Sequence, residues 1–167
     1  MEAIHIPRLT SAPERTETIE FKEFLKNLDT LTPVQGWIKI THQGNYLEVS
    51  AQAETIVTLM CHRCLQQFNY RLSIAPSEMI WLDDSADQLD ELPLDRDLSM
   101  EDLVETLPPN GYFEPDTWLY EQLSLEIPQR QLCDQDCAGI EVSDSLSDQV
   151  VDRRWASLDA LKGRLSN

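Results

Sequence analysis

VQGWIKITHQGNYLEVSAQAETIVTLM, residues 34–60, is the stretch that decides the fold. In its first part Trp37 and Lys39 alternate with Ile38 and Ile40. Successive side chains of a strand point to opposite faces, so this alternation reads as a strand with one buried face. His42-Gln43-Gly44-Asn45 is a turn signal that folds the chain back on a second strand, NYLEVSAQAETIVTLM. A third, QFNYRLSIAPSEMIWL over residues 67–82, completes a meander. Cys61-His62-Arg63-Cys64 then falls in the hairpin turn between the second and third strands.

Outward from this ribbon the chain is mixed. Ile4 to Leu9 and Thr18 to Phe21 are strand-like, while FKEFLKNL reads as a short helical turn with Phe21, Phe24, Leu25 and Leu28 on one face. From Glu78 to Glu105 eleven acidic residues stand against Arg96 alone. Charge of one sign at that density repels itself, so residues 83–97 are expected to be a mobile acidic loop. Pro108-Pro109-Asn110-Gly111 is a further break. Glu114-Pro115-Asp116-Thr117 opens a helix whose stripe is Trp118, Leu119, Gln122, Leu123, Leu125 and Glu126, and Pro128 ends it. Between Asp144 and Leu165 a C-terminal helix is expected, with Val150, Val151, Trp155, Leu158, Leu161 and Leu165 at helical spacing and Arg153, Arg154, Lys162 and Arg164 between them. The expected class is α+β, a mainly antiparallel meander with a few helices. A length of 167 residues suits one domain, taken as residues 1–167.

The net charge is −17. Coating of nucleic acid is driven by Lys and Arg displacing counterions from phosphates, so a chain this acidic can touch RNA only locally. No apolar run approaches the roughly 20 residues that cross a bilayer, and the opening MEAIHIPRLT lacks the basic end and apolar run of a secretion signal. Glu2, Glu14, Glu17, Glu20 and Glu23 disfavour an organelle transit peptide. The expectation is a cytoplasmic protein with no membrane partner, in which the four cysteines are reduced.

Those cysteines form two pairs, Cys61/Cys64 and Cys133/Cys137, separated by 68 residues. Two short cysteine turns brought together from distant parts of a chain are a common source of the four ligands of tetrahedral zinc. The pairs read equally as small buried apolar side chains. A dithiol oxidoreductase is a third reading, since His62 and Arg63 favour a thiolate, although a hairpin turn lacks the strand-then-helix setting of thioredoxin-like enzymes. No GxSxG, phosphate-cradling glycine loop or HExxH is present, and there are five glycines in all. His5, His42 and His62 have no companion motif. The expectation is a non-catalytic protein without a small-molecule substrate.

From Thr55 to Ser77 there is no acidic residue, while Arg63 and Arg71 supply charge and Phe68 and Tyr70 supply rings able to stack on bases. The stretch reads either as sheet strands with one core face or as a patch contacting RNA or a protein partner, built from Arg63, Phe68, Tyr70 and Arg71.

Cys61-His62-Arg63-Cys64-Leu65 after a long strand, the acidic region, Leu123-Ser124-Leu125-Glu126-Ile127-Pro128 leading into Cys133 and Cys137-Ala138-Gly139, and the closing Asp152-Arg153-Arg154-Trp155-Ala156-Ser157-Leu158 occur in an order that resembles the YceD-like family. Its members are described as large ribosomal RNA subunit accumulation proteins and occur in bacteria and plastids. The resemblance runs from about Val34 to the end. It implies a non-catalytic factor needed for large-subunit (23S) ribosomal RNA to be made, processed or kept, with ribosomal RNA or a ribosomal or assembly protein as partner. The alternative is a zinc-stabilised adaptor that binds only protein, setting the acidic segment against a basic partner such as a ribosomal protein. Members of the family continue the second pair as Gly-Leu-Cys-Pro with a further cysteine. Here Gly139 is followed by Ile140-Glu141-Val142, so the second pair has no third thiol of its own. A metal then requires the two pairs to meet.

Overall fold

The computed structural model describes residues 1–84 and 104–140. Most of the expected acidic loop, from residue 85 onward, and the helix expected over Asp144 to Leu165 lie outside the described residues.

The strands follow from period-two burial. β4, Tyr46–Met60, turns Leu47, Val49, Ala51, Ala53, Thr55, Val57 and Leu59 inward without a break. At about 3.4 Å per residue such a strand is roughly 50 Å long, longer than its neighbours. On one side β3, Val34–His42, pairs Gln35 to His42 with Glu54 to Leu47. The turn closes through the Gln43 amide, which donates to the Tyr46 carbonyl at 2.9 Å, with Gly44 at φ 105°.

On the other side the single third strand read from the sequence is two. β5, Gln67–Ile74, pairs with Met60 to Ala53, and β6, Ser77–Leu82, pairs with Ser50 to Tyr46. Both keep one register along β4. The break falls at Ala75-Pro76, because proline has no N–H for the ladder; its carbonyl still accepts from the Ala51 amide at 3.1 Å. β7, Thr106–Leu107, adds a short parallel pair to β6.

The N-terminal part departs from the sequence reading. Ile4 to Leu9 is β1, Ile4–His5, followed by one helical turn, α1, Ile6–Leu9, with Pro7 in its first turn. FKEFLKNL is not helical. β2, Thr16–Glu23, carries Phe21 into an eight-residue antiparallel ladder with β3, and only a turn at Leu25 to Leu28 follows. An isolated helical turn is unstable in water, so the ladder wins. Phe21 and Leu25 are buried while Phe24 is 61% exposed.

One face of the sheet is covered. β1 pairs with β8, Tyr112–Phe113, after a turn in which the Gly111 amide donates to Pro108 at 2.9 Å. α2 then runs over Pro115–Glu126 with proline in its first turn and stops where Ile127, extended ahead of Pro128, leaves the helix. Trp118, Leu119 and Leu123 are buried against the sheet. Twelve residues make a marginal helix alone, and burial of three large side chains at about 1.5–3 kcal/mol each is what holds it. Leu125 and Glu126, expected in the stripe, are exposed in the last turn. The Trp118 indole donates to Glu78 Oε2 at 2.7 Å and Gln122 Nε2 to the same oxygen at 3.1 Å, which locks the helix to β6.

Candidate metal centre

Cys61 continues the inward positions of β4 one step past the strand and is fully buried. Its chain then turns back. The Leu65 amide donates to the Cys61 carbonyl and the Cys61 amide to the Gln66 carbonyl, both at 2.9 Å, with Leu65 in the left-handed region at φ 61°. Cys64 is half-exposed on this turn.

The second turn follows α2. Asp134 organises it by accepting the Asp136 amide on Oδ1 at 2.8 Å and the Cys137 amide on its carbonyl at 3.2 Å. Gly139, at φ 85°, lies against the backbone of Arg63, where an added Cβ would sit 3.6 Å from the Arg63 carbonyl oxygen. Four further hydrogen bonds join the turns. His62 donates its amide to Gln131 at 2.8 Å. Gln131 returns its amide to His62 Nδ1 at 3.4 Å. Arg63 Nη1 donates to the carbonyls of Gln135 at 3.2 Å and Cys137 at 3.0 Å.

This closure brings all four thiols together. Cys61 Sγ lies 3.9 Å from Cys137 Sγ and Cys64 Sγ lies 3.7 Å from Cys133 Sγ, with all four sulfurs within 4.8 Å of one another. A disulfide requires about 2.05 Å. Four sulfurs at about 2.3 Å from a tetrahedral zinc lie about 3.8 Å apart. The donor set and its spacing therefore fit zinc, and thiolates in a tetrahedron are the ligands that favour it over harder cations.

The thiols also perturb one another. The amides of Cys64 and Cys133 hold Cys61 down at about 6, against its burial. The Cys64 thiol lies above its usual value: the Gln66 amide pulls it down, but burial and the Cys61 and Cys137 thiols outweigh that. Cys133 is pushed up to about 12 by Cys137, Cys61 and Cys64. A thiolate at Cys61 disfavours a second at Cys64 or Cys133, as expected for like charges at this range. A divalent cation among them would reverse that balance and favour the thiolate form of its ligands.

Residues 49–162 match the family described as Large ribosomal RNA subunit accumulation protein YceD. The chain belongs to the YceD family. Neither a curated protein nor a solved structure matches it. The stretch shared with the YceD family contains both cysteine turns, β5, β6 and α2. The thiols meet even though this YceD-family chain lacks the further cysteine after Gly139.

The four residues read as a contact patch are divided by the fold. Phe68 and Tyr70 are half-buried on the core side of β5 and pack on the core. Arg71 is on the opposite face, 73% exposed, with its guanidinium 3.7 Å from Glu54. Arg63 is exposed but spends its guanidinium on the second cysteine turn. Sequence reading did not find the roles of Gln131, Gln135 and Gly139, which lie in the second turn; the Asp-Gln-Asp between its cysteines was the one local signal of an ordered turn.

Proposed function

We propose that this protein is a non-catalytic binding factor in ribosome biogenesis, acting in the synthesis, processing or accumulation of large-subunit ribosomal RNA, with zinc on Cys61, Cys64, Cys133 and Cys137 as a structural clamp. The observation that carries the reading is the convergence of the two cysteine pairs at zinc spacing within the YceD-family region. The metal's part is to hold the second turn against the β4–β5 hairpin. The full burial of Cys61 supports a structural role for its thiol.

The test is replacement of the cellular protein by the Cys61→Ser/Cys64→Ser variant, with large-subunit ribosomal RNA as the readout. Loss of accumulation, together with loss of zinc from the purified variant, is expected. Unchanged RNA would remove the clamp from the function.

The adaptor reading, binding protein and not RNA, is favoured by a specific observation: Arg63 and Arg71 both already have protein partners. Arg71→Glu separates the two readings because it leaves the clamp alone. If it leaves ribosomal RNA levels unchanged, Arg71 is not part of the working surface; if it lowers them while the purified protein shows no salt-dependent RNA binding, the partner is a protein.

A further inference from the structure

A cleft of about 570 Å³ opens between β5 and the second cysteine turn. Phe68 and Tyr70 form one side, and Leu132, Asp134, Gln135 and Asp136 the other. We propose that this cleft docks a cationic polypeptide segment, presenting arginine or lysine side chains between the two rings and the two carboxylates.

The rings stand two positions apart on the core side of one strand, so part of each packs inward while the rest borders the cleft. Aromatic faces attract guanidinium and ammonium groups and do the same for bases, so the rings alone do not choose a partner. The opposite wall chooses. Asp134 and Asp136 are exposed, and among the described residues neither is in an ion pair. Four thiolates around a divalent cation leave a formal charge of −2 directly behind that wall, and Cys133 itself borders the cleft. The Arg63 guanidinium, beside that wall, is held by the Gln135 and Cys137 carbonyls. A phosphate backbone is repelled from this wall; a basic peptide is attracted to it, and the charge of −17 on the whole chain steers such a segment inward.

The inference rests on the clamp reading, because zinc is what holds the acidic wall in place. The experiment is an NMR titration of the full-length zinc-loaded protein with the peptide acetyl-(Gly-Arg)4-amide and, separately, with an octauridine RNA. The peptide is expected to shift the resonances of residues 68–70 and 132–136 saturably, with the RNA leaving them in place. Asp134→Asn/Asp136→Asn should weaken peptide binding about tenfold, since asparagine keeps the oxygen that caps the Asp136 amide. Glu20→Gln/Glu48→Gln, which removes the same charge from the strands β2 and β4, should change it less than about twofold. Equal weakening by the two pairs, or shifts at the cleft caused by the RNA, would overturn the proposal. Zinc-loaded protein that fails to bind the peptide overturns the cleft and leaves the clamp. Metal-free protein that still binds it at these residues overturns the clamp and leaves the cleft.

Discussion

The sheet around β4 and the cysteine clamp at its end are stabilised in opposite ways. β4 is paired along both edges and buries seven alternate side chains, so its stability is spread over many similar contacts. The clamp joins segments 68 residues apart through four sulfurs, a reciprocal His62–Gln131 pair and one guanidinium. A distributed structure weakens by degrees, whereas a site with four ligands and no spare fails when one is lost. The difference predicts which substitutions are graded and which are all-or-none.

The largest effect is expected at the clamp. Cys61→Ser/Cys64→Ser should take zinc from one per chain to none by elemental analysis and lower Tm by about 10 °C or more, because metal binding and ordering of the second turn are one process. The strand signal in far-UV circular dichroism should persist. Collapse of that signal with the metal would break the distinction, making sheet and clamp a single cooperative unit.

Within the sheet one position behaves like the clamp. Gly36 in β3 faces Ala53, and a Cβ there would sit 1.9 Å from the Gln52 carbonyl oxygen and 2.8 Å from the Ala53 Cα. Both are backbone atoms of a central strand and cannot rotate aside. Gly36→Ala should destabilise by about 2–4 kcal/mol, measured by urea unfolding, without loss of zinc. An effect below about 0.5 kcal/mol would mean that β3 shifts freely along β4.

How much of this was readable in the sequence depends on the range of the forces involved. The alternation from Leu47 to Leu59 and the turn at His42 to Asn45 are local, and they specify the meander. Pro76 was visible too, but that β5 and β6 keep one register across it follows from the length of β4. FKEFLKNL has helical spacing that loses to a ladder with residues more than ten positions away. In the site, the position of the first pair in the hairpin was legible from the strands around it. The meeting of the pairs was not, since it depends on α2 returning the chain to the end of β4. The opposite faces of Tyr70 and Arg71 were implied by their odd spacing and masked by reading the stretch as composition.

A polar contact between the sheet and α2 is the Glu78 carboxylate, which adds two hydrogen bonds to the packing of Trp118, Leu119 and Leu123. Glu78→Ala leaves the buried Trp118 indole N–H and the Gln122 amide without their acceptor. An unpartnered buried donor costs about 1–3 kcal/mol, so the loss should lie below that of Gly36→Ala. The tryptophan fluorescence, to which Trp118 contributes, should shift with it. A change as large as the loss of the clamp would mean that α2 undocks as a whole and carries the second cysteine turn away.

The smallest effect is expected at Glu105, beside the same carboxylate. Partial burial, then the charges of Glu78 and Glu121, raise its pKa above the usual 4.5. The folded chain thus holds this proton more tightly than the unfolded one. Stability from this source is full below pH 4.5 and declines as the pH rises through the raised value, so at pH 7 the folded state carries the repulsion. Glu105→Gln removes it. The variant should be more stable than the parent at pH 7 by well under 1 kcal/mol, because solvent screens an exposed carboxylate, and the two should converge at pH 4. Zinc content should be equal in both, since the carboxylate acts at the β6–α2 seam. A stabilisation that persisted at pH 4 would trace the gain to side-chain packing and take the charge argument away from this edge of the sheet.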